Sequence, residues 1–503
     1  MPGSRLVVLV HGWSVTSTDT YGDLADRLEA EGRRDGGLDL DVRNIWLSKY
    51  VSFDDDVRME DLSRAFEAAI RRELGQELDA GKRFICIAHS TGGPVIRDWW
   101  DRLYVQVPRS GRCPMSHLIM LAPPNFGSAL AQLGKSRVGR IKAWTSGVEP
   151  GQRVLDWLEL GSPEAWSLNR RWFEYTDSST GTNPVYQFVL TGQSIDRSLY
   201  DHLNSYTGEL GSDGVVRAAS ANLNATYVRL EQQKPTPIAT GDSPRYEALG
   251  LKAGKPIASP RVAFALIPGR SHSGKEMGIL RSIRAEPGDG HPTVEAILQC
   301  MRVDSGRAYA ALCDRFAQQT ETVQRAELVE KEVRLLPDRW FIHDPSSMVI
   351  FRVVDHRGYP VSTFDLKLIA GAEGDPNLLP KGFAIDRQAN SKARENITYF
   401  FNAAVMHGSP EVVGDGGEVL RKTTEGAGML GMEFTPHLTT GLVHFLPARL
   451  KATTKTLRAF VKPNETTMVE IVLQRVVRER VYRLTRERAP RDFKRGPDGP
   501  AVD

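Results

Sequence analysis

In Arg83-Phe84-Ile85-Cys86-Ile87-Ala88-His89-Ser90-Thr91-Gly92-Gly93 an apolar run gives way abruptly to small and polar residues around a serine. The apolar run predicts a buried strand, and the small and polar residues that follow predict a tight turn into a helix. A turn of that kind lifts a serine hydroxyl out of the sheet. It strains the backbone at Ser90 and leaves no room for bulky side chains two residues before and two after, where Ala88 and Gly92 stand. The next segment, Pro94-Val95-Ile96-Arg97-Asp98-Trp99-Trp100-Asp101-Arg102-Leu103, has apolar residues at helical spacing, so a helix begins just beyond Ser90. The backbone N–H of Thr91 then points at an oxygen lying over the serine, as an oxyanion donor does.

A second donor comes from the N-terminal region. Arg5-Leu6-Val7-Val8-Leu9-Val10 reads as another buried strand, ending in His11-Gly12-Trp13, and the N–H of Trp13 can face the same oxygen.

These two signatures together resemble the α/β-hydrolase fold, and within it the bacterial lipases and phospholipases. Leu121-Ala122-Pro123-Pro124-Asn125-Phe126-Gly127-Ser128, after the apolar run Ser116-His117-Leu118-Ile119-Met120, resembles the Pro-and-Gly loop that follows the next strand in lipases. The resemblance implies a doubly wound, mostly parallel α/β sheet and a triad in the chain order serine, acid, histidine, so that acid and base lie beyond Ser90. For the acid, Asp213 in Gly211-Ser212-Asp213-Gly214-Val215-Val216 matches the lipase acid loop and follows the strand-like Pro184–Leu190. Asp-Gly alone equally makes a hairpin turn with a solvated aspartate, and Asp196 and Asp201 stand nearer the end of that strand. For the base, His272 in Gly269-Arg270-Ser271-His272-Ser273-Gly274 follows the apolar run Arg261–Ile267. His291 competes, but it precedes the helix start Thr293-Val294-Glu295-Ala296-Ile297-Leu298, where a histidine is usually structural. His89 is expected to point away from the site.

The chemistry expected of these residues is acyl transfer. Ser90 must lose its proton as it attacks, His272 accepts it and returns it to the leaving alcohol, and Asp213 holds the imidazole tautomer. The expected activity is hydrolysis of carboxylic esters of lipid-like substrates, as a lipase or phospholipase A. An acyltransferase would use the same triad, and a non-catalytic binding protein on the same scaffold is the reading from another class. Neither a cofactor nor a metal is expected: histidines and cysteines show no ligand spacing, and none is legible for calcium.

Composition sets the remaining bounds. With 503 residues, 41% of them hydrophobic, the chain can fill more than one core. Balanced charge, +3 from 65 basic and 62 acidic residues, argues against nucleic acid as a partner. Four cysteines give no disulfide framework. No signal peptide or membrane-spanning run is visible, which fits a cytoplasmic enzyme or one exported without an N-terminal signal.

The expected organisation is a catalytic domain over 1–335, with a helical cap insertion at about 128–182 carrying Trp144, Trp157, Trp166 and Trp172. Those tryptophans suit either a pocket wall or core packing. Pro235 to Pro260 is rich in Pro, Gly and Ala and reads as a mobile surface excursion. Short strands at Ser347–Val354, Thr363–Ile369 and Met468–Leu473 predict a β-sandwich-like accessory domain over 336–487, followed by a flexible tail over 488–503. Arg475, Arg478, Arg480, Arg483, Arg486 and Arg488 make its last segment basic. That edge suits contact with anionic lipid at a membrane surface, and equally a charge-protected edge strand.

Overall fold

The computed structural model describes residues 4–11, 21–34, 37–51, 54–107, 112–136, 151–175, 183–195, 211–233, 249–285, 290–332, 339–437 and 443–477. Five strands, β1 (Arg5–His11), β2 (Leu40–Trp46), β3 (Phe84–His89), β4 (Met115–Leu121) and β5 (Tyr186–Thr191), join Ala263–Leu266 in one six-stranded sheet. The order is β2-β1-β3-β4-β5 and then the 263–266 strand, with every pair parallel.

Alternation along the strands feeds two cores. Val8, Val10, Cys86, Ala88, Leu118 and Met120 face the helices α2 (Met59–Asp79) and α3 (Gly92–Trp100). Val7, Leu9, Ile85, Ile87, Ile119 and Leu121 face α1 (Leu24–Arg34) and the helices Pro292–Met301 and Gly306–Ala326. Cover on both faces explains why these strands read as unbroken apolar runs rather than as alternating ones. Because the strands are parallel, their C-terminal ends share one edge, and the loops leaving that edge build the site.

The second domain is a ten-stranded mixed sheet. Its path runs Phe364–Ala370, Met429–Pro436, Ala448–Thr453, Leu249–Ala253, Ala225–Gln232, Thr466–Leu473, Ser346–Asp355, Asn396–Asn402 and Ala384–Ala389, with Ile257–Ala258 pairing Ala225–Gln232. Its strands come from both sides of residue 335. Ala225–Gln232 lies parallel to Thr466–Leu473, in the middle of the sheet. The sheet curls until opposite regions meet, and Tyr399 Oη donates to Leu366 O at 3.2 Å. The domain is thus one continuous mixed sheet whose two ends approach each other.

The region expected to be a surface excursion is in part strand. Leu249–Ala253 and Ile257–Ala258 both pair with Ala225–Gln232. The alternation Leu249, Leu251, Ala253 is short and sits among Pro and Gly, so turn signals outweigh it in the sequence; residues 234–248 lie outside the described residues. In the cap, helices Gln152–Leu158 and Pro163–Trp172 carry Trp157, Trp166 and Trp172, all buried in the core that α2 and α3 also line. These three tryptophans are core packing; Trp144 lies outside the described residues.

Candidate active site

The strand-to-helix turn at Ser90 is strained as the sequence requires. Ser90 has φ +51°, a conformation that costs a non-glycine residue on the order of 1–3 kcal/mol. It is pinned from both sides: its N–H donates to Leu121 O at 2.9 Å, and its carbonyl accepts from Gly93 N at 3.0 Å. A Cβ at Gly92 would rest 3.5 Å from the Ala88 methyl, an ordinary contact, so alanine at 88 fits opposite glycine at 92. The sharper steric demand falls one residue later. A Cβ at Gly93 would stand 2.8 Å from Pro123 Cβ, where α3 crosses the loop after β4.

Three loops bring Ser90, His272 and Asp213 together. Ser90 Oγ lies 3.1 Å from His272 Nε2, and His272 Nδ1 lies 3.0 Å from Asp213 Oδ2. A carboxylate only accepts, so Nδ1 carries the ring proton and Nε2 of the neutral ring is left free to accept from the serine hydroxyl. Asp213 is 0% exposed and His272 3% exposed. Asp213 Oδ1 accepts from the N–H groups of Val215 and Val216 at 3.0 and 2.8 Å. The Asp-Gly turn is therefore real, closed by one carboxylate oxygen, while the other oxygen is aimed at the histidine. The two loops are also joined through the main chain, His272 N donating to Asp213 O at 2.8 Å. Gly192 lets the histidine loop pass the end of β5, because a Cβ there would lie 1.7 Å from Arg270 O.

Several supporting residues carried no sequence signal. His89 does not simply turn away: its ring packs against that of His272 with centroids 5.0 Å apart. Tyr21, buried, donates its hydroxyl to Val10 O and accepts from His89 N, tying the end of β1 to the turn. Arg97, one helical turn beyond Gly93, is buried and donates to Asn125 Oδ1 at 3.3 Å and Asn169 Oδ1 at 3.0 Å, which links α3, the loop after β4 and the cap. Burial lowers its guanidinium to about 10. Ser128 Oγ donates to Val215 O at 2.8 Å, fastening the β4 loop to the acid loop.

Thr91 stands directly before α3, whereas Trp13, Asp196 and Asp201 lie outside the described residues. His291 serves as the N-cap of helix Pro292–Met301: its ring accepts from Thr293 N, and burial lowers it to about 4. It is structural. All four cysteines are buried free thiols, and burial pushes the Cys113 thiol up to about 12. Among the described residues, no group of three or more His, Cys, Asp or Glu could hold a metal ion, and no helix is long and apolar enough to cross a membrane.

A parallel six-stranded sheet with a strained serine at the end of its third strand, met there by a histidine and a buried aspartate, defines an α/β-hydrolase. Comparison with solved structures agrees. Phospholipase PlaB from Legionella pneumophila is 42% identical, with a TM-score of 0.81 over 99% of this chain and 100% of that one. The same phospholipase in complex with thio-NAD is 41% identical, with the same TM-score and coverage. No family model matches the sequence, and neither does any curated protein. The chain belongs to the family of phospholipase PlaB, and it is a carboxylic-ester hydrolase.

Proposed function

We propose that this protein is a phospholipase that cleaves the acyl ester bonds of phospholipids, with Ser90 as nucleophile, His272 as general base and acid, and Asp213 as the group that orients His272. The observation that carries the reading is one imidazole bridging Ser90 Oγ and a fully buried carboxylate, at 3.1 and 3.0 Å. Membership of the PlaB family supports the phospholipid substrate.

As Ser90 Oγ bonds to the ester carbon, its proton passes to His272 Nε2, and the developing imidazolium is stabilised by Asp213. The carbonyl electron pair moves onto its oxygen, which meets the N–H groups of Thr91 and Trp13, a pair donating on the order of 3 kcal/mol each in comparable sites. Collapse expels the alcohol, which takes the proton back from Nε2. Water then attacks the acyl-enzyme by the same route, releasing a fatty acid and restoring Ser90. Turnover of p-nitrophenyl esters of graded chain length, followed by a phospholipid panel resolved by cleavage position, tests this reading. The expected outcome is ester cleavage that Ser90→Ala abolishes, with fatty acid released from phospholipid. No cleavage at any chain length, or full activity in Ser90→Ala, would sink it.

A further inference from the structure

At the edge opposite the active site, where its parallel strands begin, the hydrolase sheet carries an open cleft of about 540 Å³. Four of the side chains lining it are cations, Arg5, Lys82, Arg83 and Arg112, against a single carboxylate, Asp304. Among the described residues none of the four is in an ion pair. The three arginines are held by neutral acceptors instead. Arg83 Nε donates to Cys113 O at 3.2 Å, and its Nη2 donates to Pro184 O at 2.7 Å and to Met115 O. Arg5 donates to Met301 O, and Arg112 Nε to Asn183 Oδ1 at 2.8 Å. Each guanidinium is thus fixed in place with its charge uncompensated and N–H groups to spare, the Nη1 group of Arg83 and both Nη groups of Arg112 among them. The charges also lie close enough to act on one another. Burial lowers the Arg83 guanidinium and Arg112 lowers it further, while burial, with Arg5 and Arg83 adding to it, holds the His117 ring at about 4.

We propose that this cleft binds a phosphate monoester, its dianionic phosphate among Arg5, Lys82, Arg83 and Arg112 and its organic part against Pro184 and Tyr186. Guanidinium forks match the oxygens of a phosphate, and forks already fixed by carbonyls lose little freedom when they bind one. Four cations facing one carboxylate leave a charge of three to balance, which a dianion meets better than a carboxylate does. A phosphate fills only part of the cleft, whose volume falls within the range of about 300–1,000 Å³ usual for small-molecule sites. Leu6, Pro184, Tyr186 and Val303 offer apolar wall for the rest of the ligand. Arg83 and Ser90 flank β3, whose six residues rise about 20 Å, so this site is separate from the triad.

Calorimetric titration of the full-length Ser90→Ala protein with glycerol 3-phosphate at constant ionic strength tests the proposal. Saturable binding of one equivalent is expected, with inorganic phosphate competing and chloride without effect. Lys82→Ala and Arg112→Gln, at exposed positions, should each weaken it at least fivefold, while the same substitutions in the Ser90 protein leave p-nitrophenyl ester turnover intact. Asp304→Asn, which removes the one carboxylate of the lining, should tighten it at least twofold. Absence of saturable binding, binding that both Lys82→Ala and Arg112→Gln leave untouched, or acetate binding as tightly as glycerol 3-phosphate would each overturn the assignment. Capture by vesicles containing phosphatidic acid without binding of glycerol 3-phosphate would overturn it too, since the cleft would then take a lipid headgroup.

Discussion

Asp213→Asn probes the site most sharply, because the structure dictates how the new amide must sit. Two N–H groups, from Val215 and Val216, converge on Oδ1 at 3.0 and 2.8 Å. An asparagine keeps its oxygen there, since turning it round would aim an NH2 group at two donors and leave them buried and unpaired, at about 1–3 kcal/mol each. Its NH2 group therefore faces His272 Nδ1. That nitrogen must then accept, so the ring proton moves to Nε2 and confronts Ser90 Oγ. The serine is left without a proton acceptor, and the rate should fall by about 10⁴, as in a comparable triad, or about 5.4 kcal/mol of barrier. Because Asp213 is fully buried and faces His272, the loss should fall on kcat and not on KM, and the urea midpoint should stay close to that of the parent, since the turn keeps both its N–H bonds. Steady-state kinetics on a p-nitrophenyl ester with urea unfolding as control measures both. A folded variant that loses less than tenfold would refute the orienting role and direct the search to Asp196 and Asp201.

The remaining expectations are structural. Gly93→Ala should destabilise the protein by about 1–3 kcal/mol, because its methyl meets the rigid Pro123 ring at 2.8 Å, whereas Gly92→Ala, at ordinary contact distance, should stay within about 1 kcal/mol of the parent in urea unfolding. Stability should fall as pH drops through the window from about 6.5 to 4. Burial holds His117 and His291 down to about 4, so the unfolded chain takes up protons that the native chain refuses. For the deeply buried His117 this amounts to about 1–2 kcal/mol between pH 6.5 and 5, and a His117→Gln variant with an unchanged slope of midpoint against pH in that interval would count against it. A chain cut after residue 335 should lack soluble, active protein, because Ala225–Gln232 would lose its partner strand Thr466–Leu473 and bare Val228 and Leu230; a truncated chain with parental esterase activity would contradict this.

The catalytic half was legible because its physics is local. A strand buried on both faces must be an unbroken apolar run, a strained serine needs small neighbours, and strand ends on one edge gather the loops that follow them. Ser90, His272 and Asp213 each announce themselves within six residues. What escaped the sequence is long-range. The ring of His89 packs against His272 while Tyr21, 68 positions earlier in the chain, holds the backbone of residue 89, and no local pattern encodes that bond. Arg97 reads as an exposed helix residue until Asn125 and Asn169 are brought to it.

The same distinction explains the second sheet. Its late strands were visible as short apolar runs between turns, but Ala225–Gln232 and Leu249–Ala253 lie between the acid and the base in the chain, and a strand's sheet is set by its partners rather than by its own residues. That sharing ties the two domains together at the site. Thr466 Oγ1 donates to Ala219 O and Asn222 Nδ2 to Asn464 O, both 2.7 Å, just beyond the acid loop. Arg217 lies over the Phe400 ring at 3.9 Å and faces Asp386. Glu159, 1% exposed, accepts from the backbone and hydroxyl of Ser391, which fastens the cap to the second domain. The acid loop and the cap are thus each held from two sides, by the hydrolase sheet beneath and by the second sheet beside them. A β-domain bonded in this way is part of what fixes Asp213 opposite His272.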